Sequence, residues 1–221
     1  MPADPRVDFP VLKWFGLAFL AVLVPCYWVV WGGPNFMQLC DIALFLTVLG
    51  WWKGNSLLLS SQLLACLVIH LLWVLDAGTR VLTGHFLLGG GELTSYMWMS
   101  DYSLFVRLLS LFHVFWIPLL LVSLRKTGYD SRALLFQAAI AIAVMTMTIL
   151  VAPHFTTKNV NFAFKDPITK HTVVNVPVHM LLTWAVTVAV MYAPAHFLLA
   201  RIFRPARRAS PEEMEPGTTV A

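Results

Sequence analysis

The chain has 221 residues, of which 59% are hydrophobic and only 12% charged, where soluble domains run at about a quarter charged. That balance excludes an ordinary soluble globular domain, and it excludes a disordered chain, which is poor in apolar residues and rich in charge. A net charge of +4 would raise nucleic-acid binding in a soluble protein; in a chain this apolar it reports loop topology against anionic headgroups, so membrane lipids are the expected partners and nucleic acid is not.

Nine Trp and fifteen Phe, with a mean hydropathy of +0.75, make lipid the solvent of most of the chain. A helix takes about 20 residues to cross hydrocarbon, so this length allows roughly six crossings. Apolar runs lie at residues 12–31, 36–52, 56–75, 104–124, 133–152 and 178–203. The fold class that follows is all-α, a polytopic membrane bundle of about six transmembrane helices within residues 1–203. Trp14, Trp28, Trp31, Trp51, Trp52 and Trp73 sit near the ends of runs, as an interfacial aromatic belt requires. Turn chemistry separates the first three runs, Gly32-Gly33-Pro34 and then Gly54-Asn55. The first run is longer than a signal h-region and no A-x-A-like site follows it, so it reads as a mature helix.

Six crossings put both termini on one side. That side carries ten basic residues, Arg6, Lys13, Lys53, Arg125, Lys126, Arg132, Arg201, Arg204, Arg207 and Arg208, and the other carries five, Arg80, Arg107, Lys158, Lys165 and Lys170. The positive-inside rule then predicts a plasma-membrane protein with cytoplasmic termini, and residues 204–221, basic and then acidic, read as a disordered cytoplasmic tail.

Ionisable groups inside a bilayer are costly, so their positions are informative. Cys40 and Asp41 fall near the outer start of the second run, His70 in the outer half of the third, and Arg107 and His113 in the outer half of the fourth. Asp76 falls at the outer end of the third run, and His85, Glu92, Asp101, His154, Asn161 and His171 lie in outer loops. These residues point to an outward-facing cavity among the second, third and fourth runs, with the sixth as an optional further wall. A carboxylate as deep as Asp41 needs protonation or a partner, with Arg107 or His70 the obvious ones. The three cysteines, Cys26, Cys40 and Cys66, show no CxxC spacing and imply neither a disulfide framework nor a zinc ribbon. The fifth run, with small residues and Thr146 and Thr148, reads as packing material.

The stretch Asn35-Phe36-Met37-Gln38-Leu39-Cys40-Asp41-Ile42-Ala43-Leu44-Phe45-Leu46 resembles the opening of the second span in the YwaF-type family of bacterial six-span membrane proteins. Leu111-Phe112-His113-Val114-Phe115-Trp116 and Asn159-Val160-Asn161-Phe162-Ala163-Phe164 are similar to that family's His-bearing fourth span and the Asn-aromatic segment after its fifth, and Asn175-Val176-Pro177 is similar in placement. The resemblance implies a distant relation to membrane enzymes that move or hydrolyse fatty-acyl groups, including an acyltransferase that makes polyunsaturated ether phospholipids, in which a Cys on one span and a His on another are the reactive pair. The matching positions are Cys40 and His113. The chain departs from the pattern at Asn35–Gln38, where the family has a Leu-Pro-Leu-His lead-in, and in its longer outer loop from Asp76 to Ser103.

Three readings of the cavity stand at this stage. In a thiol-dependent lipid acyltransferase or acyl-ester hydrolase, Cys40 at a helix N-terminus is the nucleophile, His113 its base, and Asn161 an oxyanion donor, with Asp41, His70 and Arg107 as binding residues. No resident cofactor or metal is expected in that case. The alternative is a cofactor-binding protein, with His70 and His113 as axial ligands of a haem or, with Asp41, as ligands of a metal. The third is a scaffold or small transporter, for which Pro118 and Pro194 offer the helix breaks.

Overall fold

The computed structural model describes residues 7–87, 93–154, 159–166, 171–203 and 205. Gly89–Gly91, Glu92, Lys158, Lys170 and nearly all of the tail beyond residue 203 lie outside the described residues.

The described residues form an all-α bundle with no sheet among them, only the isolated bridges Tyr129–Pro205 and Lys165–Thr172. Eight helices follow in order: α1 (Pro10–Trp31), α2 (Leu39–Lys53), α3 (Ser56–Thr83), α4 (Leu104–Leu109), α5 (Phe112–Thr127), α6 (Ala133–Val151), α7 (Val176–Val186) and α8 (Ala193–Ile202). Because α4 and α5 form one rod and α7 and α8 another, they make six rods. Five of these, α1, α3, α4–α5, α6 and α7–α8, are long and apolar enough to cross a membrane, so the chain is an integral membrane protein with several membrane-spanning helices.

Two helix boundaries differ from those the sequence suggests, and both matter for the site. The second helix begins at Leu39, because Gly33–Met37 wind into a 3-10 turn around Pro34 instead of joining it. Cys40 and Asp41 therefore sit in the first turn of α2 and not below it. At 15 residues, α2 is about 22 Å long, shorter than the ~30 Å hydrocarbon layer. Helix α3 instead runs 28 residues, past Leu75 to Thr83, and stops where Gly84 takes φ +76°, a left-handed conformation that glycine adopts without penalty. This places Asp76 inside the helix, almost fully buried, accepting from Leu87 N at 2.8 Å and from the Thr94 hydroxyl. It ties down the loop that follows and is not a solvated interfacial acid.

Helix α3 is the hub, packed against α2, α5 and α6, with α1 on the outside of α2 and α7 on the outside of α6. The α1–α2 contact is close at Gly16, where a methyl group would stand 2.6 Å from Val48 Cγ2 and 2.9 Å from Trp51 Cζ3. Trp51 is fully buried, packs on Trp116 with ring centroids 5.3 Å apart, and donates to Ser123 Oγ at 2.8 Å. Trp73 is buried too. The aromatic belt is thus smaller than the sequence suggests: Trp14, Trp28 and Trp52 are exposed, whereas Trp51 and Trp73 belong to the interior.

One end of the bundle gathers the first and last described segments of the chain. Lys126 Nζ lies 5.6 Å from the Phe9 ring centre, Lys13 Nζ 5.6 Å from that of Trp52, and Tyr129 bridges to Pro205. Lys13 also pairs with Asp8 at 2.8 Å, which holds the Asp8 carboxyl below its ordinary range. The 3-10 turn Gly33–Met37, the 3-10 turn Ser95–Trp98 and the segment Val160–Phe162 connect helices at the opposite end, and there the bundle opens into a cavity.

Candidate functional site

The cavity has a volume of about 640 Å³ and is bordered by α1, α2, α3, α5, α6 and the π-helical stretch Thr187–Tyr192 between α7 and α8. Cys40, Asp41, His113 and Asn161, which come from widely separated parts of the sequence, all line it. Of the three cysteines, Cys40 is the one on its wall. Cys66 is fully buried in the core.

Cys40 owes its position to how α2 begins. Gln38 at the N-cap supplies no side-chain bond to the helix, and helix starts left uncapped cost about 1 kcal/mol. The cap comes from Asn161, 122 residues away, whose Oδ1 accepts from Leu39 N at 3.1 Å. Its Nδ2 donates to Met37 O at 2.7 Å and to Thr148 Oγ1 at 2.9 Å, and its backbone N donates to Gln38 Oε1 at 3.2 Å. Asn161 and Phe162 have φ of +50° and +57°. Asn tolerates the left-handed region, whereas for Phe it costs roughly 1–2 kcal/mol. Asn159 supports this turn by accepting from Phe164 N and Lys165 N, and Phe162 O lies 3.1 Å from His179 Nε2. Both amide hydrogens of Asn161 are committed to these bonds. It is a positioning residue for the first turn of α2, and its side chain is not free to donate to an oxyanion.

His113 is set by a break in its rod. Between α4 and α5, Ser110 and Leu111 make short-range bonds to Arg107 O and Leu108 O, and the Ser110 carbonyl accepts from His113 twice, from its backbone N at 3.2 Å and from Nδ1 at 2.8 Å. A carbonyl only accepts, so Nδ1 carries the hydrogen and Nε2 keeps the lone pair of a base. The ring is held between Trp73, stacked at 4.7 Å and 9°, and Phe112 at 4.0 Å and 26°.

Asp41 is 2% exposed and accepts from Asn35 Nδ2 at 2.8 Å. It pairs with neither Arg107 nor His70. The Arg107 guanidinium is turned to Met97 O, which accepts from Nη1 at 2.9 Å, while Asn35 is only six residues from Asp41 and on its side of the cavity. Neither Arg107 nor His70 lines the cavity. His70 lies behind the wall, fully buried, its ring centroid 4.5 Å from that of His113, and both its ring nitrogens lack a hydrogen-bond partner among the described residues.

That spacing bears on a cofactor. Two imidazoles on one haem iron hold their ring centres more than ~6 Å apart, given metal–nitrogen bonds of ~2 Å. Rings in direct contact at 4.5 Å leave no space for a porphyrin between them, so the pair does not fit a bis-histidine haem. Among the described residues no group of three or more His, Cys, Asp or Glu side chains is arranged to hold a metal ion.

Sequence reasoning missed the aromatic and hydroxylic lining. Tyr27, Trp31, Trp73, Tyr96 and Tyr102 border the cavity. Tyr27 and Ser110 share a 2.8 Å hydroxyl–hydroxyl bond, and Trp73 Nε1 donates to Tyr96 OH at 3.1 Å. Burial pushes the Tyr96 hydroxyl above its ordinary range, which keeps it a neutral donor. The available signal was the density of Tyr and Trp flanking the outer ends of the runs, of which Trp31 and Trp73 read as belt. No protein-family model, curated protein or solved structure matches this chain.

Proposed function

We propose that this membrane protein is a thiol-dependent lipid acyl-transfer enzyme working inside the cavity. The observation that carries the reading is that Cys40 and His113, from two helices far apart in sequence, border one cavity, with the His113 ring fixed in the tautomer that leaves Nε2 as a base. The resemblance of the Cys40 and His113 stretches to the YwaF-type family supports the same pair.

In the first half-reaction His113 Nε2 takes the Cys40 proton as Sγ attacks an ester carbonyl. The ester C–O bond then breaks and the same proton goes to the leaving alkoxide, which departs as an alcohol and leaves the acyl group on sulfur as a thioester. In the second half-reaction a hydroxyl of another lipid, or water, gives its proton to Nε2 and attacks the thioester. The C–S bond breaks and the thiolate takes the proton back. The side-chain amide of Asn161 holds the helix start that presents the thiol, and the first-turn position of Cys40 places Sγ in the positive potential of the α2 N-terminus.

The test is acyl-chain labelling in cells expressing the full chain and fed an alkyne fatty acid. Hydroxylamine-sensitive label is expected on the protein, lost in Cys40→Ser and strongly reduced in His113→Ala. Unchanged labelling and unchanged membrane lipid profiles in both variants would end the proposal.

A further inference from the structure

The cavity holds a buried acid and a set of aromatic rings that the acyl-transfer chemistry does not use. Asp41 sits on the wall next to Cys40 and is 2% exposed, yet among the described residues no Lys or Arg lines the cavity. The Arg107 guanidinium, on α4, donates to the Met97 carbonyl. Asp41 receives the Asn35 amide and no cation. A carboxylate in such surroundings is strongly stabilised by a positive partner, and this chain supplies none there among the described residues.

Other lining residues of the same cavity suit a cation. Trp31 packs in an aromatic box with Tyr27, Tyr96 and Tyr102, its ring centroid 4.3, 5.8 and 5.6 Å from theirs at interplanar angles of 80°, 84° and 61°, and all four residues line the cavity. Steeply angled rings of this kind turn π faces in more than one direction, and a π face attracts ammonium groups. The Tyr27–Ser110 and Tyr96–Trp73 bonds fix the walls in place, so little ordering is left to ligand binding.

We infer that the cavity recognises a ligand bearing an ammonium group, held by Asp41 and the Trp31 box, and that anionic lipids without such a group are excluded. The acyl part of this inference rests on the reading above: with the ammonium at Asp41, a substrate's ester is directed toward the adjacent Cys40. The same chemistry belongs to a zwitterionic phospholipid headgroup and to a free amine.

The experiment uses the purified full chain in a non-ionic detergent and follows thermal unfolding while titrating three probes: diheptanoylphosphatidylcholine, diheptanoylphosphatidylglycerol and tetramethylammonium chloride. Saturable stabilisation by phosphatidylcholine and not by phosphatidylglycerol is expected. Added stabilisation by tetramethylammonium alone identifies a free ammonium group as sufficient, and its absence assigns recognition to the lipid headgroup. Asp41→Asn, which keeps an acceptor for Asn35, is expected to weaken the response at least tenfold, and Trp31→Leu at least fivefold. Should Asp41→Asn fail to fold, Trp31→Leu and Tyr102→Leu decide the matter. Equal responses to the two lipids, or an unchanged response in the folded variants, overturns the inference. Cys40→Ser is expected to bind as the wild type does, so loss of acyl labelling with intact binding faults the reaction alone, and binding that ignores Asp41 while labelling persists faults the ammonium site alone.

Discussion

Replacing Asn161 tests how the candidate nucleophile is held. Asn161→Ala deletes the acceptor for Leu39 N and the donors to Met37 O and Thr148 Oγ1, three bonds each worth about 0.5–1.5 kcal/mol net. It also places Ala at φ +50°, adding about 1 kcal/mol because Ala lacks the local side-chain bonding that lets Asn occupy this region. The total is about 3–5 kcal/mol. Asn161→Gly removes the same bonds without the backbone penalty, so it is expected to fall about 1 kcal/mol short of the Ala variant. Equilibrium unfolding in mixed micelles by SDS titration reads both differences, and the rate at which Cys40 reacts with an apolar maleimide is expected to change in both variants as the first turn of α2 frays. If Asn161→Ala costs less than about 1 kcal/mol and leaves the Cys40 rate unchanged, the capping role assigned to Asn161 is wrong.

Other outcomes follow from the packing. Gly16→Ala is expected to destabilise by about 1–3 kcal/mol, because the added methyl meets Val48 and Trp51 inside contact distance; wild-type stability in the same SDS titration would contradict the close α1–α2 approach. Trp51→Ala should cost about 3–5 kcal/mol, from lost core packing and a buried Ser123 hydroxyl left without its indole donor. In the folded protein a lipid-like thiol reagent should modify Cys40 well before Cys66, which is fully buried; mass spectrometry of the labelled peptides showing the reverse order would rule out Cys40 as the accessible thiol.

Hydropathy alone revealed the helical class and the runs that became rods, because crossing length and apolarity are properties of each segment by itself. The helix ends were less legible. Phe36 and Met37 look apolar enough to open the second run, and only the 3-10 turn around Pro34 keeps them out of α2. Cys40, Asp41 and His113 were identifiable as polar residues in costly places and Asn161 through the resemblance of its segment, and all four border one cavity. Their partners were not identifiable. Asp41 bonds Asn35 and not a distant charge, Arg107 bonds a backbone carbonyl, and Asn161 is occupied in capping a helix 122 residues away. Such choices depend on which side chains share a wall, and spacing along the chain carries no record of that. The tryptophans show the same limit: Trp51 and Trp73 resemble Trp14 and Trp52 in position, but the bundle buries the first two and exposes the others.

Helix α3 carries a consequence for how the protein is made. Once assembled, Ser60, Ser61, Gln62, His70 and Asp76 face protein and are buried, so lipid never meets them. During synthesis the same helix must enter the bilayer before α5 and α6, which cover it, have emerged. Its leucine-rich turns must therefore carry a polar ridge into hydrocarbon unaided, and the step most sensitive to further polar substitutions on α3 is insertion of the nascent chain, with stability of the finished bundle affected less.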